Sequence, residues 1–472
     1  MRGQGAPEGI KDLLGSRTFQ YDLTELPGLD YLSYPTGVIQ QAQELAADAF
    51  GAEQSWFLVN GTTTGIHAAV MATCSPETAL LVARNTHLAA FSALVLSGAM
   101  PVWIQPECNS ALGIAVSVTV QALEAAFAEA ASRQLKVGAV LLVSPSYFGS
   151  CSDIAGMVKL CHQRGVALIV DEAHGGHFAF SQHFPQSALS QGADLAVQST
   201  HKVLGSMGQS SMLHAQGTLV DRPRISRALQ TLQTSSPSYL LMASLDAARH
   251  QAVQQSTWAE PARAAQRIRD GLAKLPGISV LDRNNCACAG VLEVDAMRIT
   301  VAISGLGLTG WQLAAMLREE HAVIPELASL KVVVFALGPG STLQHANGLV
   351  EAFQVICHAG GDKQPDSERN ASAQRDDSQV LQLGVRCMQK EPQMAIKPRE
   401  AAFSPTERID ISQASGRISA ELLCPYPPGV PVAFPGERID SGTVELLQGV
   451  QRYGGVVMGA SDDTLRTIEV IQ

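Results

Sequence analysis

The sequence predicts an α/β protein built on a mostly parallel sheet, with smaller portions following it. Two observations carry that expectation. Between residues 55 and 200, short apolar runs alternate with amphipathic stretches. The runs are also apolar throughout rather than at every second position, the pattern of strands covered on both faces.

The runs are SWFLVN (55–60), ALLVA (79–83), MPVWIQ (100–105), GAVLLVS (138–144), VALIVD (166–171) and ADLAVQ (193–198). Helical patterns lie between several of them: TTGIHAAVMATC (63–74), VTVQALEAAFAEAASRQ (118–134) and SDIAGMVKLCHQR (152–164). Ligands in such sheets sit at the carboxyl ends of the strands, so the polar residues after each run carry the chemistry. A second α/β portion, 262–357, contains the strands RITVAIS (298–304) and KVVVFAL (331–337). The polar stretch 358–379 has no apolar period and reads as a linker. Residues 380–472 hold their own apolar pattern and a Pro/Gly-rich segment, CPYPPGVPVAFPGE (424–437), and read as a separate small domain. Residues 1–261 then form the large domain with an N-terminal arm. No fixed-period repeat is visible.

Bulk properties narrow the function. At 472 residues, two or three domains are expected. A net charge of -10 argues against a nucleic-acid partner, which requires clustered Lys and Arg. The nine cysteines form no framework, and Cys286 and Cys288 read as a solvated loop rather than a zinc pair. No apolar run reaches a membrane span, and the start shows no secretory pattern, so a reduced, cytoplasmic protein is expected.

Four placements carry chemistry. QSTHK (198–202) puts Lys202 at the end of a buried strand, where an isolated ammonium is costly. A Schiff base with an aldehyde cofactor uses such a lysine; snorkelling to water is the alternative. In LIVDEAHGGH (168–177), Asp171 ends the most apolar strand and suits a protonated pyridine nitrogen. A metal set of Asp171, His174 and His177, or a helix N-cap, is the alternative there, and metal leaves Lys202 unexplained. In LVNGTTTGIHAAV (58–70), Gly61 permits a tight turn into a helix whose free N–H groups, with the Thr62 and Thr63 hydroxyls, suit a phosphate. RNTH (84–87) places His87 where an aromatic ring can lie over a flat cofactor. Together, in this order and each after a strand, they point to pyridoxal 5'-phosphate.

These residues resemble the fold-type I pyridoxal-phosphate enzymes (aspartate aminotransferase-like), and among them the ornithine/lysine/arginine decarboxylase family in its shorter bacterial form. The similarity also runs through TELPGLD (24–30), VSPSYFG (143–149), SSPSYLLMASLDAAR (235–249), GLTG (307–310) and PYPPGVPVAFPGE (425–437). It implies a large domain with a mostly parallel sheet, a small α/β domain and a C-terminal α+β domain. It also implies a PLP-dependent decarboxylase acting on a basic amino acid. Carried over by residue, Lys202 bears the cofactor, Asp171 meets the pyridine nitrogen and His87 stacks on the ring. Thr62, Thr63 and Ser199 bind phosphate, His174 lies close to the cofactor, and His201 is a candidate acid. Ser235 or Ser236 reaches the phosphate of a neighbouring subunit, which implies a homodimer or larger assembly.

The chain departs from its relatives in three ways. A Pro/His/Gly-rich segment ending in GHK usually precedes the position of Arg2. Leu88 stands where the family commonly has Lys, and Gly208 where it commonly has Thr. The giant ring assemblies that depend on the N-terminal wing of the large members are not expected. Other outcomes remain open: an aminotransferase or lyase holding a carboxylate with Arg298, or a silent PLP-binding protein. Arg298, close after Asp295, reads as structural, and Glu326 in VIPELAS is a candidate contact near the site. Lysine is slightly favoured over arginine, without a residue to support it.

Overall fold

A computed structural model describes residues 5–286, 288–361, 381–426, 430–452 and 455–472. Seven strands form the main sheet: β1 (Gln54–Leu58), β2 (Thr78–Ala83), β3 (Met100–Ile104), β4 (Lys136–Val143), β5 (Ala167–Asp171), β6 (Leu195–Gln198) and β7 (Ser211–Ala215). Their spatial order is β1-β7-β6-β5-β4-β2-β3. The pairs among β3, β2, β4, β5 and β6 are parallel, while β7 runs antiparallel to both β6 and β1. The six apolar runs are therefore six strands of one sheet. Both faces are covered, because Leu80, Val82, Leu141 and Ile169 enter one buried cluster while Leu81, Val140, Leu142 and Leu168 enter another. Strands without a solvent face require side chains apolar on both sides.

The small sheet has four strands, β8 (Ser279–Val280), β9 (Arg298–Ala302), β10 (Leu327–Ala328) and β11 (Val332–Ala336), in the order β8-β9-β11-β10. All its pairs are antiparallel. The helix Ser256–Leu272 leads into it, and its core is continuous with the large portion: Ile299, Phe335 and Phe353 share a cluster with Phe57, Met212 and Leu245. The stretch expected as a linker over 358–379 begins inside the helix Leu343–Gly361, and from 362 on it lies outside the described residues.

After residue 380, the strand pairs Thr406–Asp410 with Thr467–Ile471 and Cys424–Tyr426 with Val456–Met458 pack with the helix Ser441–Arg452. Their apolar faces form a cluster that includes Leu423, Leu447, Ile468 and Val470. One expectation holds only in part: residues 282–285 are exposed, as in a solvated loop, and Cys288 is half-buried. Cys286 is instead fully buried with Leu112, Ile114, Phe148 and Val291, and its carbonyl accepts a bond from Asn109 Nδ2 at 3.0 Å. A thiol behaves as a small apolar group, so this one residue of the loop joins the core.

Candidate active site

The carboxyl ends of β5 and β6 meet the start of the Gly61–Thr73 helix, and the predicted residues converge there. Asn60 precedes that helix, and Gly61 turns the chain with φ +74°, a conformation that favours glycine. The helix sits tightly on the sheet because Gly65 has no side chain; a Cβ there would lie 2.4 Å from a Val197 methyl. Thr62 Oγ1 bonds the hydroxyls of Ser199 and, at 3.1 Å, Ser211. Three hydroxyls thus gather at a helix N-terminus, a donor set suited to a phosphate. Thr63 sits beside them on the same first turn.

Ser211 is absent from the sequence expectation. It arrives because β7 runs antiparallel, so its first residue meets the last residues of β6. The pair Ser210–Ser211 ahead of the apolar MLHA was the only signal, and strand direction is not written in it.

Asp171 is the last residue of β5 and is 7% exposed. Its Oδ1 accepts from the Ala173 N–H at 3.2 Å. Burial pushes its carboxyl up to about 6, with the Lys202 charge opposing the rise. A cationic ring nitrogen would restore the ionised form by charge pairing.

Lys202 stands in the short helix Thr200–Val203 after β6. Its stem is open to the crevice, while desolvation of the amine end lowers its affinity for a proton. Asp171 and Glu326 oppose that shift, and Arg298 adds to it. Lys202 Nζ lies 3.4 Å from His174 Nε2. His174 Nδ1 lies 3.1 Å from Arg298 Nη1, and burial holds the ring well below the usual imidazole range. Arg298, 2% exposed, grips Glu326 through both guanidinium nitrogens at 3.0 and 3.3 Å and donates to the Tyr147 carbonyl. A continuous line of contacts therefore runs from Lys202 to Glu326.

Arg298 is thus not merely structural, as the sequence implied: it lies one side chain from the lysine amine. Tyr147 was also missed as an individual residue, although its ring centroid is 5.5 Å from that of His174. The metal alternative dissolves. His174 turns to Arg298 and Lys202, and His177 bonds Asp295 at 3.1 Å deep in an aromatic cluster. Among the described residues, no group of three His, Cys, Asp or Glu side chains could hold a metal ion.

His87 caps the helix Leu88–Ser97, its Nδ1 accepting from Ala89 N–H at 3.2 Å. Burial first, then Lys202 and His67, push its ring down to about 4, so it is a neutral aromatic face. His201 donates Nδ1–H to the Ser210 carbonyl at 2.7 Å and keeps Nε2 available. Ser235 and Ser236 are exposed, and neither bonds any of these residues within the chain. Ser235 lines a different cavity, of about 1090 Å³, with Tyr34, Trp56 and Gln233.

An amine, a buried carboxylate, a hydroxyl cradle and an aromatic face in one crevice fit the groups of pyridoxal phosphate. The fold agrees. A serine palmitoyltransferase structure holding PLP matches with a TM-score of 0.53 at 15% identity, over 68% of this chain and 76% of that one. The fold is thus that of the fold-type I enzymes.

Sequence comparison narrows the class. The Orn/Lys/Arg decarboxylase major domain matches residues 2–291 and that family's C-terminal domain matches residues 381–459. The chain belongs to the Orn/Lys/Arg decarboxylase family. The arginine decarboxylase of Bacillus subtilis is 35% identical over all of this chain and 93% of its own length. The lysine decarboxylase LdcF of Francisella novicida has a TM-score of 0.85 at 19% identity, covering 100% of this chain and 77% of that one.

Proposed function

We propose that this chain uses pyridoxal 5'-phosphate to decarboxylate a basic amino acid, arginine ahead of lysine. The observation that carries the reading is Glu326. Its carboxylate is about one-third exposed and held by Arg298 on the crevice that contains Lys202. Each oxygen keeps a lone pair for a cationic side chain. The sequence lean toward lysine gives way, because the relative that is 35% identical along the whole chain is an arginine decarboxylase.

Lys202 holds the cofactor, Asp171 pairs with its ring nitrogen, and the neutral His87 face lies against the ring. Gly61, Thr62, Thr63, Ser199 and Ser211 hold the phosphate. Bound there, PLP supplies an electron sink for breaking the bond between the substrate's α-carbon and its carboxylate. His201, on the residue before Lys202, delivers a proton to the α-carbon through Nε2, while His174 stands against the lysine amine.

A homodimer completes the site, with Ser235 or Ser236 reaching the partner's phosphate. Exposed Leu13, Leu14, Tyr21, Tyr34 and Val38 on the N-terminal arm favour such burial. The domains divide at 261, 357 and 379, and the working compartment is the cytoplasm. Among the described residues, no helix is long and apolar enough to cross a membrane.

Carbon dioxide release from each of the twenty amino acids tests the reading. The fastest release is expected with arginine, followed by lysine; faster release from lysine overturns the order. A preference for glutamate, aspartate or an aromatic amino acid overturns it.

A further inference from the structure

A guanidinium has five N–H donors and no acceptor. Arg298 Nη1 lies 3.1 Å from His174 Nδ1, so that ring nitrogen presents a lone pair. The proton of the neutral imidazole therefore sits on Nε2, the atom 3.4 Å from Lys202 Nζ. An N–H aimed at Nζ is met favourably by an amine lone pair and unfavourably by an ammonium, which only donates. Arg298 is locked in this pose from three sides: Glu326 grips both terminal nitrogens, the Tyr147 carbonyl takes Nε–H, and the side chain is 2% exposed.

We propose that Arg298 is a positioning residue that fixes the proton of His174 on Nε2 and so holds the Lys202 amine as a free base, ready to capture an aldehyde. The amine lone pair forms the new C–N bond with the cofactor's aldehyde carbon. The carbonyl oxygen departs as water with both amine hydrogens, leaving one C=N bond, so the step needs no oxidant or reductant. The charges facing Nζ divide. Asp171 and Glu326 favour the ammonium, Arg298 opposes it, and the rings of His87, His174 and His201 are all held toward neutrality. The oriented Nε2–H adds to the side that Arg298 and desolvation already favour.

The inference rests on Lys202 as the cofactor lysine and not on the substrate. Its first test is a long-range ¹H–¹⁵N spectrum of the cofactor-stripped, histidine-labelled full chain at pH 7.5. The His174 signals, identified by their loss in His174→Asn, are expected to show a protonated Nε2 and a bare Nδ1. A protonated Nδ1, or an imidazolium, overturns the proposal. The second test follows the absorbance rise as stripped enzyme captures pyridoxal phosphate. Arg298→Lys retains a donor-only cation and is expected within about threefold of wild type. Arg298→Gln lets an amide oxygen face Nδ1; it is expected to slow capture about tenfold near pH 7, equal to one unit of amine pKa, with the deficit vanishing near pH 10. Equal capture rates in Arg298→Gln and wild type at both pH values overturn the proposal. If the Arg298 variants do not fold, the wild-type spectrum alone decides. Neither readout contains an amino-acid substrate, so a failed decarboxylation assay leaves this result standing.

Discussion

Among the described residues two arginines, Arg298 and Arg84, are buried, and their charges are accommodated in opposite ways. Arg298, in the crevice, holds a carboxylate in a two-pronged grip and donates to an imidazole. Arg84, at the end of β2, is 1% exposed and lies beneath the C-terminal portion. It donates to the carbonyls of Pro431 and Val432, and its guanidinium lies 5.9, 5.4 and 5.2 Å from the ring centres of Phe91, Trp103 and Phe434. Among the described residues its only carboxylate contact, Glu437, is at 3.7 Å. Carbonyl dipoles and π faces replace water around a charge that a close ion pair does not neutralise. The crevice spends stability to hold reactive groups, whereas the junction uses a charge to join 84 to 430–437.

The largest effect that tests this contrast lies in the crevice. Asp171→Asn is expected to lower kcat/KM about a thousandfold, the scale of losing one aimed charge in a dry site. The cofactor-free protein should melt no lower, since a carboxyl pushed up to about 6 costs stability when ionised at neutral pH. Near-normal turnover would identify the wrong carboxylate. Next comes Arg84→Met, expected to lower unfolding free energy by about 2–4 kcal/mol, because the buried carbonyls of Pro431 and Val432 are left without their donor. Denaturant titration reads this directly, and a loss under about 1 kcal/mol would show that the aromatic faces, not the charge, hold the junction.

A smaller effect is expected from pH. Burial pushes Glu437 up to about 7, with Arg84 and Lys390 opposing. The folded state therefore binds a proton that the unfolded state has already released above about pH 4.5. The stability contributed by the neutral acid falls as pH rises from about 4.5 to about 7, by on the order of 3 kcal/mol. The difference between wild type and Glu437→Gln across that window isolates it, and parallel curves would refute the shift. The smallest effect is the control on a solvated pair: Arg133→Ala, which breaks the one-turn contact to Glu129, should change stability by less than about 0.5 kcal/mol.

The contrast also marks how far the sequence could be read. Six apolar runs announced six strands, because a doubly covered strand must be apolar throughout. Lys202, Asp171, His87, Thr62 and Ser199 followed from their places at strand ends and at a helix start. β7 was not recognised: SMLHA is five residues with a buried histidine, His214, that breaks the apolar pattern. Its antiparallel direction, and with it Ser211, depends on pairing rather than composition. The Arg298 line was hidden by separation, since His174 stands 124 residues away in sequence and Glu326 stands 28 away. The carbonyl partners of Arg84 are 347 and 348 residues distant. Local pattern reveals which residues end strands and cannot show which side chains those ends will meet.

The reversed direction of β7 makes the crevice depend on strand register. Ser199, just after β6, and Ser211, at the start of β7, serve the same crevice from neighbouring chain segments that run in opposite directions. Side chains alternate faces along a strand, so a slip of β7 by one residue toward its C-terminus would exchange Ser211 for Met212. Met212 is fully buried in the core cluster, and the slip would place a thioether among the hydroxyls and a hydroxyl in the core. The apolar alternation of β7 thus holds the phosphate cradle in phase, whatever residues fill the 203–210 connection.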